Sequence, residues 1–237
     1  MPTLRSLARL LRYTPFHPQW LLGRRKPPRG IETAQGLLLD IGAADRWVAR
    51  FLPSETQYVA LDYPVTGEKF YGSTPDVFAD ACNLPVRDAC ADHVVCLEVL
   101  EHVVDPARTL MEISRVLKPG GRAWLSMPFM YPVHNEPFDF QRYTEFGLRR
   151  DLARANLAVD ALVRPIHSLR TAGLLVNLAL AGGIHQSSPV GRLLLLLPGA
   201  VAIFLVNVVA WLVSLVWPSW DNLTMRHDLQ LRKEAGS

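Results

Sequence analysis

Gly36-Leu-Leu-Leu-Asp40-Ile-Gly42 is a short apolar run that ends in an acidic residue and a glycine. Such a run is typical of a strand buried on both faces. Similar runs follow at 58–62, 92–97 and 122–127, with a helical stretch over 44–51 and another over 106–117. Alternation of strand and helix implies right-handed crossovers, a parallel sheet and a ligand crevice at the carboxyl ends of the strands.

The C-terminal half continues this pattern and then changes character. A helix over 144–156 is capped by its first residue, and a strand over 157–163 follows it. Residues 172–184 are then apolar and glycine-rich, and residues 193–217 form an apolar run without any charge. The tail over 222–233 alternates like a strand.

Length and charge limit the classes of protein that this chain can represent. A chain of 237 residues fits one catalytic core with an insertion better than two full domains. A net charge of +3 does not describe a polycation that neutralises nucleic-acid phosphates, so no nucleic-acid partner is expected. The first thirty residues nevertheless crowd basic side chains without matching acids, which makes this end a candidate for anionic surfaces. These side chains are Arg5, Arg9, Arg12, Arg24, Arg25, Lys26 and Arg29.

The cysteines and the N-terminus predict a location in the cytoplasm. Cys82, Cys90 and Cys96 are odd in number and lack a C-x-x-C pair, so they indicate neither a disulfide framework nor a structural zinc site. Arg9 and Arg12 interrupt the apolar stretch that a secretory signal would need. We therefore expect catalysis on the cytoplasmic side.

Three aspartates at predicted strand ends point to a nucleoside cofactor. Asp40 closes the first strand, where it can orient an ammonium group, and Gly42 lets the backbone approach a ligand. The further glycines of a pyrophosphate-binding loop are missing, which favours a cofactor without phosphate. Asp62 is placed to accept hydrogen bonds from ribose hydroxyls, and Asp80 follows a third strand beside the expected adenine. Each aspartate alone could instead cap a helix, but together they indicate an adenosine.

Five motifs carry a family resemblance over residues 37–156. They are Leu39-Asp40-Ile-Gly42, Val59-Ala-Leu-Asp62, Asp80-Ala-Cys-Asn-Leu-Pro85, Cys96-Leu-Glu98-Val-Leu-Glu101-His102-Val and Arg115-Val-Leu-Lys-Pro-Gly-Gly121. This part of the chain resembles the type 11 family of class I S-adenosylmethionine-dependent methyltransferases. The resemblance implies S-adenosylmethionine as cofactor, with Gly42 near its methionine part, Asp62 on the ribose and Asp80 near the adenine. Ala81 and Glu98 are further cofactor-binding candidates.

The resemblance also implies the remaining organisation of the chain. It predicts an α/β fold: a Rossmann-like, mostly parallel sheet with helices on both faces and a hydrophobic helical insertion before a last antiparallel strand. The expected parts are a basic amphipathic segment with its linker (1–30), the methyltransferase core (31–165), the hydrophobic helical insertion (166–220), and the last strand with the tail (221–237). The first loop departs from the family because Ala44 stands where a glycine is common, as does Arg46.

The segment after the fifth strand is the candidate acceptor region. Pro128 to Thr144 mixes aromatic, proline and charged residues at the rim where an acceptor must meet the cofactor. It resembles type 11 enzymes of bacterial surface-polysaccharide biosynthesis that share the pattern H-x-x-P-x-D-F-x-R-Y-T, which suggests a glycan or lipid-linked hydroxyl as acceptor. In the alternative interpretation, Asp139 and Arg142 form a structural ion pair and only His134 faces the site.

A divalent metal is a further hypothesis. Glu98, Glu101 and His102 stand at i, i+3 and i+4, so one helical turn can direct all three side chains at the crevice, and His134 arrives from the next loop. Two carboxylates and two imidazoles can bind magnesium, manganese or zinc. The set resembles that of small-RNA terminal-ribose and ubiquinone-pathway methyltransferases. In the alternative, Glu98 contacts the cofactor, Glu101 is a solvated first-turn acid, and His102 or His134 alone is the general base.

The apolar runs predict contact with a membrane. The run over 193–217 is long enough to cross a hydrocarbon core, but a single crossing would leave the last strand on the wrong side. We therefore expect a helical hairpin or re-entrant insertion of 172–184 and 193–217 on the cytoplasmic face of the cell membrane. A basic amphipathic helix over 4–13 would lie nearby on the same surface. The alternatives are two buried helices in a soluble lid and an N-terminal helix packed on its own domain.

Two classes of function follow from these features. The favoured class is an O-methyltransferase whose catalytic candidates are Glu101, His102 and His134. The other is a membrane-associated protein that binds S-adenosylmethionine in a regulatory or scaffold role without turnover, as the missing loop glycines and the apolar tail suggest.

Overall fold

Among the described residues, seven strands form one sheet, and only the last of these strands runs antiparallel to the others. The order across the sheet is β3-β2-β1-β4-β5-β7-β6, with β7 antiparallel to both of its neighbours. In this computed structural model the strands are β1 (Leu37–Ile41), β2 (Gln57–Asp62), β3 (Val77–Phe78), β4 (Ala91–Leu97), β5 (Leu117–Pro128), β6 (Leu157–Val163) and β7 (Arg226–Lys233). The predicted Rossmann-like α/β class and its final antiparallel strand are confirmed.

In the part of the chain that the structure describes, five α-helices and several short turns connect the strands. The helices are α1 (Pro64–Thr66), α2 (Pro106–Val116), α3 (Glu145–Arg154), α4 (Ser168–Gln186) and α5 (Pro189–Val213). The 3-10 turns are Trp20–Leu22, Ile31–Thr33, Trp47–Phe51 and Leu100–His102. Thr144 caps α3 by accepting a hydrogen bond from the backbone of Gly147, as predicted. The apolar helix α5 lies before the last strand, also as predicted.

The two faces of the sheet are covered by different elements. On one face, the main core packs α2 and α3 against the strands, with Leu110 and Leu148 fully buried. On the other face, Leu38 and Trp124 pack against the 3-10 turns, where Ile31 and Val48 are buried. This division follows from the alternation of side chains along each strand.

The predicted helix over 44–51 is wrong in type and length. Only Trp47–Phe51 is helical, and it is a 3-10 turn. Ala44 and Arg46 have φ angles of +46° and +54°, in the left-handed region, so no right-handed helix can begin before residue 47. Five residues then remain, which is too few for a stable α-helix.

The structure describes residues 11–67, 72 and 74–235, which form two units. The sheet unit contains residues 27–129, 133–163 and 226–235, and the helical unit contains residues 11–26, 130–132 and 164–225. The first seven residues of the amphipathic helix predicted over 4–13 lie outside the described residues. The helical unit is a hairpin of α4 and α5 together with residues 11–26.

Candidate functional site

The first candidate loop follows β1 at the carboxyl edge of the sheet. Gly42 has φ +72°, and a Cβ there would lie 2.3 Å from Cγ2 of Val99, so both the backbone angle and the space require glycine. The next residues keep this tight course without glycine, since Ala44 and Arg46 adopt positive φ themselves. The loop therefore has the shape of a glycine-rich turn at the cost of local backbone strain.

Asp62 holds this loop from the end of β2. Its Oδ2 accepts a hydrogen bond from the Ala44 backbone N–H at 3.1 Å, and its Oδ1 accepts one from Tyr63 at 2.9 Å. The residue is 7% exposed. Each oxygen keeps a second lone pair, so the carboxylate can accept two hydroxyl groups in addition to these bonds.

Asp40 is buried beside β2 and bonded to a tyrosine. The Tyr58 hydroxyl donates to its Oδ2 at 2.6 Å. Burial raises the pKa of Asp40 to about 6, although the bond from Tyr58 opposes the shift. An ammonium group beside this carboxylate would restore its charged form.

This raised pKa leads to a stability prediction. Because the folded-state pKa lies above the ordinary value of 3.8, the stabilisation by the protonated form is complete below about pH 4 and is lost as the pH rises through about 6. The free energy of unfolding of Asp40→Asn should therefore exceed that of the wild type by about 2 to 3 kcal/mol at pH 8, whereas the two values should be similar at pH 4. Urea unfolding at both pH values measures this. The exposed Asp45→Asn is the control, and an equal gain at both pH values would contradict the prediction.

The adenine-side candidates lie after β3. Asp80 is exposed, and its Oδ1 accepts a hydrogen bond from the Cys82 backbone at 2.8 Å, which closes a turn. Ala81 is buried in the main core. The position agrees with the expected adenine side, but the turn alone also accounts for the aspartate.

Glu98 forms the centre of a network at the ends of β4, β5 and β7. Its backbone has φ +56°, and its Oε1 accepts a hydrogen bond from the Ser126 hydroxyl at 2.6 Å. The residue reaches solvent, yet the protein atoms around it exclude enough water to raise its pKa. The positive charge of Arg226 partly opposes this rise.

Glu101, His102 and His134 converge beside this network. One potential ligand atom from each of the three lies within 4.8 Å of the others. Glu101 is 0% exposed, and among the residues that the structure describes neither of its carboxylate oxygens has a hydrogen-bond partner. Burial and the nearby charge of Glu98 raise its pKa well above the usual range. Such an unpaired buried carboxyl is unfavourable unless a cation or a ligand completes it.

Both imidazoles direct a ring nitrogen at this carboxyl group. His102 Nδ1 donates to the Phe138 carbonyl at 2.5 Å, and its Nε2 lies 3.6 Å from Glu101 Oε1. His134 Nδ1 lies 3.2 Å from Asp139 Oδ2, and its Nε2 lies 4.0 Å from the same Glu101 oxygen. Burial lowers the pKa of His102 and favours its neutral form. In this form His102 directs its Nε2 lone pair at the cluster, and His134 directs its Nε2 atom at the same carboxyl oxygen. Metal-binding and proton-accepting histidines present a ring nitrogen in this way.

Asp139 fixes the position of His134. Its Oδ2 also accepts from the His134 backbone N–H at 2.8 Å, and Arg142 Nη2 donates to it at 2.7 Å. Burial alone would raise the pKa of Asp139, but these bonds lower it to about 2. The Asp139–Arg142 ion pair of the alternative interpretation is therefore present, and it is joined to the candidate site through His134.

The structure places two of the expected residues differently from one another. Glu98 is not among the three residues whose potential ligand atoms come together, and its Oε1 is bonded to Ser126, so its role as a further metal ligand stays a prediction. Glu101 is not a solvated acid, because the 3-10 turn Leu100–His102 directs it into the protein.

Three partners of the site residues were not predicted from the sequence: Tyr58, Ser126 and Arg226. Ser126 was detectable as a hydroxyl near the end of an apolar strand. Arg226 was not detectable, because it lies far from the other site residues in the sequence. Only the pairing of β7 with β5, in which Arg226 stands opposite Pro128, brings it to the site.

Comparison with known proteins agrees with this architecture. The family described as "Methyltransferase domain" matches residues 39–125. The ubiquinone biosynthesis O-methyltransferase of Pseudomonas paraeruginosa is 38% identical over 89 residues, which is 37% of this chain and 32% of that protein. The match therefore spans about a third of the length of this curated relative.

Two solved structures share the fold over most of the chain. A candidate sarcosine dimethylglycine methyltransferase from Galdieria sulphuraria has a TM-score of 0.53 at 15% identity, over 87% of this chain and 81% of that one. Phosphoethanolamine N-methyltransferase 2 of Haemonchus contortus, solved with S-adenosyl-L-methionine, has a TM-score of 0.50 at 14% identity, over 97% and 60% respectively. Identities this low establish the Rossmann-like methyltransferase fold alone.

Proposed function

We propose that this chain is an S-adenosylmethionine-dependent methyltransferase that methylates a hydroxyl group of a glycan or lipid-linked acceptor. The observation that carries the proposal is the arrangement of Gly42, Asp62 and Glu98 at the carboxyl edge, around the switch point between β1 and β4. The match to the methyltransferase domain and the cofactor bound in one structural relative support it.

The type of acceptor is inferred from two features. The curated relative is named for O-methylation in ubiquinone biosynthesis, which supports an oxygen acceptor. The segment from His134 to Thr144 has the pattern of the polysaccharide-associated enzymes, which supports a glycan or a lipid-linked form of one. The apolar helical unit suits an acceptor that is held at a membrane.

The transfer needs alignment and removal of one proton. The acceptor oxygen attacks the methyl carbon, the bond from carbon to the sulfonium breaks, and S-adenosylhomocysteine leaves as the hydroxyl proton passes to a base. His134 presents Nε2 for this role while Asp139 holds its other ring nitrogen. Asp139 is a positioning residue, since it acts through His134.

We also propose that Glu101, His102 and His134 hold a divalent metal, either magnesium, manganese or zinc. The buried Glu101 favours this, because its carboxylate oxygens accept no hydrogen bond from the described residues and a cation would supply the positive charge that balances a buried carboxylate. One carboxylate and two imidazoles match a frequent zinc ligand set. A metal bound there would lower the pKa of a coordinated acceptor hydroxyl. The residues would then serve as ligands, and the histidine base without metal is the competing mechanism.

The cofactor assignment predicts that Asp62→Ala weakens S-adenosylmethionine binding by about tenfold or more. Loss of the charged acceptor leaves the ribose hydroxyls unpaired, which costs about 1.5 to 3 kcal/mol. Calorimetric titration measures this. Asp92→Ala is the matched control, because Asp92 also accepts a backbone N–H, from Leu37 at 2.9 Å, but lies at the amino edge of the sheet.

The outcomes of this titration separate the proposals. Unchanged affinity in Asp62→Ala would reject the ribose contact, and absence of binding by the wild type would reject the methyltransferase proposal. Binding without transfer of a radiolabelled methyl group into membrane or polysaccharide extracts would favour the regulatory or scaffold role.

A further inference from the structure

Helix α5 presents a large apolar surface to solvent. It contains five consecutive leucines at 193–197, which are 45–76% exposed. Its most apolar stretch has a mean hydropathy of 2.6, and only 11% of that stretch is buried. A helix of 25 residues is about 37 Å long, enough to cross a hydrocarbon core of about 30 Å. Continuous apolar surfaces of this kind mark contact with a membrane or a partner.

The two helices of the hairpin approach each other closely at two glycines. A Cβ at Gly173 would lie 2.7 Å from the Cβ of Ala210, and a Cβ at Gly199 would lie 2.3 Å from Cδ1 of Ile184. Glycine at these positions lets α4 and α5 approach closely. Small residues at helix contacts are characteristic of membrane proteins, where van der Waals packing replaces the hydrophobic effect.

The asparagine in the apolar run is fully bonded within the helical unit. Asn207 Oδ1 accepts a hydrogen bond from Asn177 Nδ2 at 2.7 Å, and both residues are 0% exposed. Asn207 Nδ2 donates to the carbonyls of Pro15 and His17 at 2.6 and 3.0 Å. Its amide is therefore not offered to lipid, and Asn207 does not oppose insertion.

The connections of the hairpin fix its topology. β6 ends at Val163, β7 begins at Arg226, and Val163 pairs with Asp228. A single crossing would separate β7 from its neighbours, so both ends of the hairpin must stay on one side of a membrane. At the tip, the one arginine of α5, Arg192, donates to the Ser187 carbonyl at 3.1 Å.

The open end of the hairpin carries the side chains expected at lipid headgroups. Trp217 and Trp220 follow α5 and are each 63% exposed. Arg170, near the start of α4, donates to Ser214 Oγ just after α5 at 2.7 Å. The described residues of the helical unit contain seven arginines and lysines against one acidic residue, Asp221. Tryptophan favours membrane interfaces, and basic residues favour anionic lipids. We propose that the α4–α5 hairpin inserts into an anionic lipid bilayer with both ends on the cytoplasmic side.

Flotation of the full chain with lipid vesicles tests this proposal independently of catalysis. The chain should float with vesicles of phosphatidylcholine containing about 30% phosphatidylglycerol, and its partition coefficient should fall about tenfold on pure phosphatidylcholine or in high salt. The double variant Leu193→Glu/Leu197→Glu should lower the partition coefficient by about a hundredfold or more, because two charges enter the hydrocarbon region.

A matched double variant controls for the added charge. Val104→Glu/Phe146→Glu changes two residues of the sheet unit that are 81% and 82% exposed, and it should float like the wild type. Circular dichroism and cofactor binding establish that both double variants fold.

Equal flotation of the two variants would overturn the proposal. The proposal would also be overturned if the wild-type protein stayed out of the vesicles and formed an oligomer in the absence of detergent, with residues 193–197 covered by a second copy. A C-terminal tag digested from outside right-side-out membrane vesicles would overturn the hairpin topology.

Discussion

Replacing His134 by alanine is expected to lower kcat for methyl transfer by about 10²- to 10⁴-fold, with cofactor affinity changed by less than about twofold. The imidazole Nε2 faces Glu101, whereas the Asp139 contact holds Nδ1. The variant therefore loses either the proton acceptor or a metal ligand, and both losses act on the chemical step. Steady-state kinetics with a methyl-accepting extract, together with calorimetry of the cofactor, measure the two effects.

The controls distinguish catalysis from folding. His93→Ala removes a half-buried imidazole at the amino end of β4, so it should affect stability but not kcat. Asp139→Asn should lower kcat less than His134→Ala and should shift its pH profile, because the residue acts through the imidazole. Activity that survives in both His102→Ala and His134→Ala would reject a histidine in either role.

Metal removal is expected to have the second large effect. Dialysis against excess chelator should abolish transfer, and magnesium, manganese or zinc should restore it. Elemental analysis should find about one divalent ion per chain in the wild type and none in Glu101→Gln, because that substitution removes the charged ligand. Electron paramagnetic resonance of added manganese gives a readout that does not depend on activity.

Methyl transfer that needs no metal would identify the competing mechanism. Full turnover in excess chelator, with no ion found by elemental analysis, would reject the metal and leave the histidine base. Glu112→Gln is the matched control for the loss of a carboxylate. Glu112 is also buried but accepts hydrogen bonds from Arg115 and Leu84 and is not part of the cluster, so its loss should not change metal content.

The fold could be predicted largely from local patterns. Strand β1 occupies 37–41 where the sequence predicted 36–42, and β6 has the predicted bounds. These strands are readable because buried parallel strands are continuous apolar runs. The segment over 44–51 was misread because its apolar spacing is helical, while the left-handed angles of Ala44 and Arg46 depend on the tight turn that β1 makes toward Asp62.

The candidate site was predictable as a set of residues but not as an arrangement. Spacing within one turn placed Glu101 beside His102, yet it could not show that Glu101 faces the protein interior while Glu98 turns toward Ser126. That choice depends on the positive φ of Glu98 and on the position of β5, both set by contacts distant in sequence.

By itself, the sequence determined the α/β class, the carboxyl-edge aspartates and the apolar pair of helices, because these depend on local periodicity and on residues at strand ends. Only the tertiary structure decided which groups meet. It joined His134 to Asp139 and Arg142, left the Glu101 carboxyl without a hydrogen bond from any described residue, and bonded Asn207 to Asn177 of the neighbouring helix. Hydrogen bonding and burial depend on which distant segments pack together, and the pattern of a single segment does not contain that information.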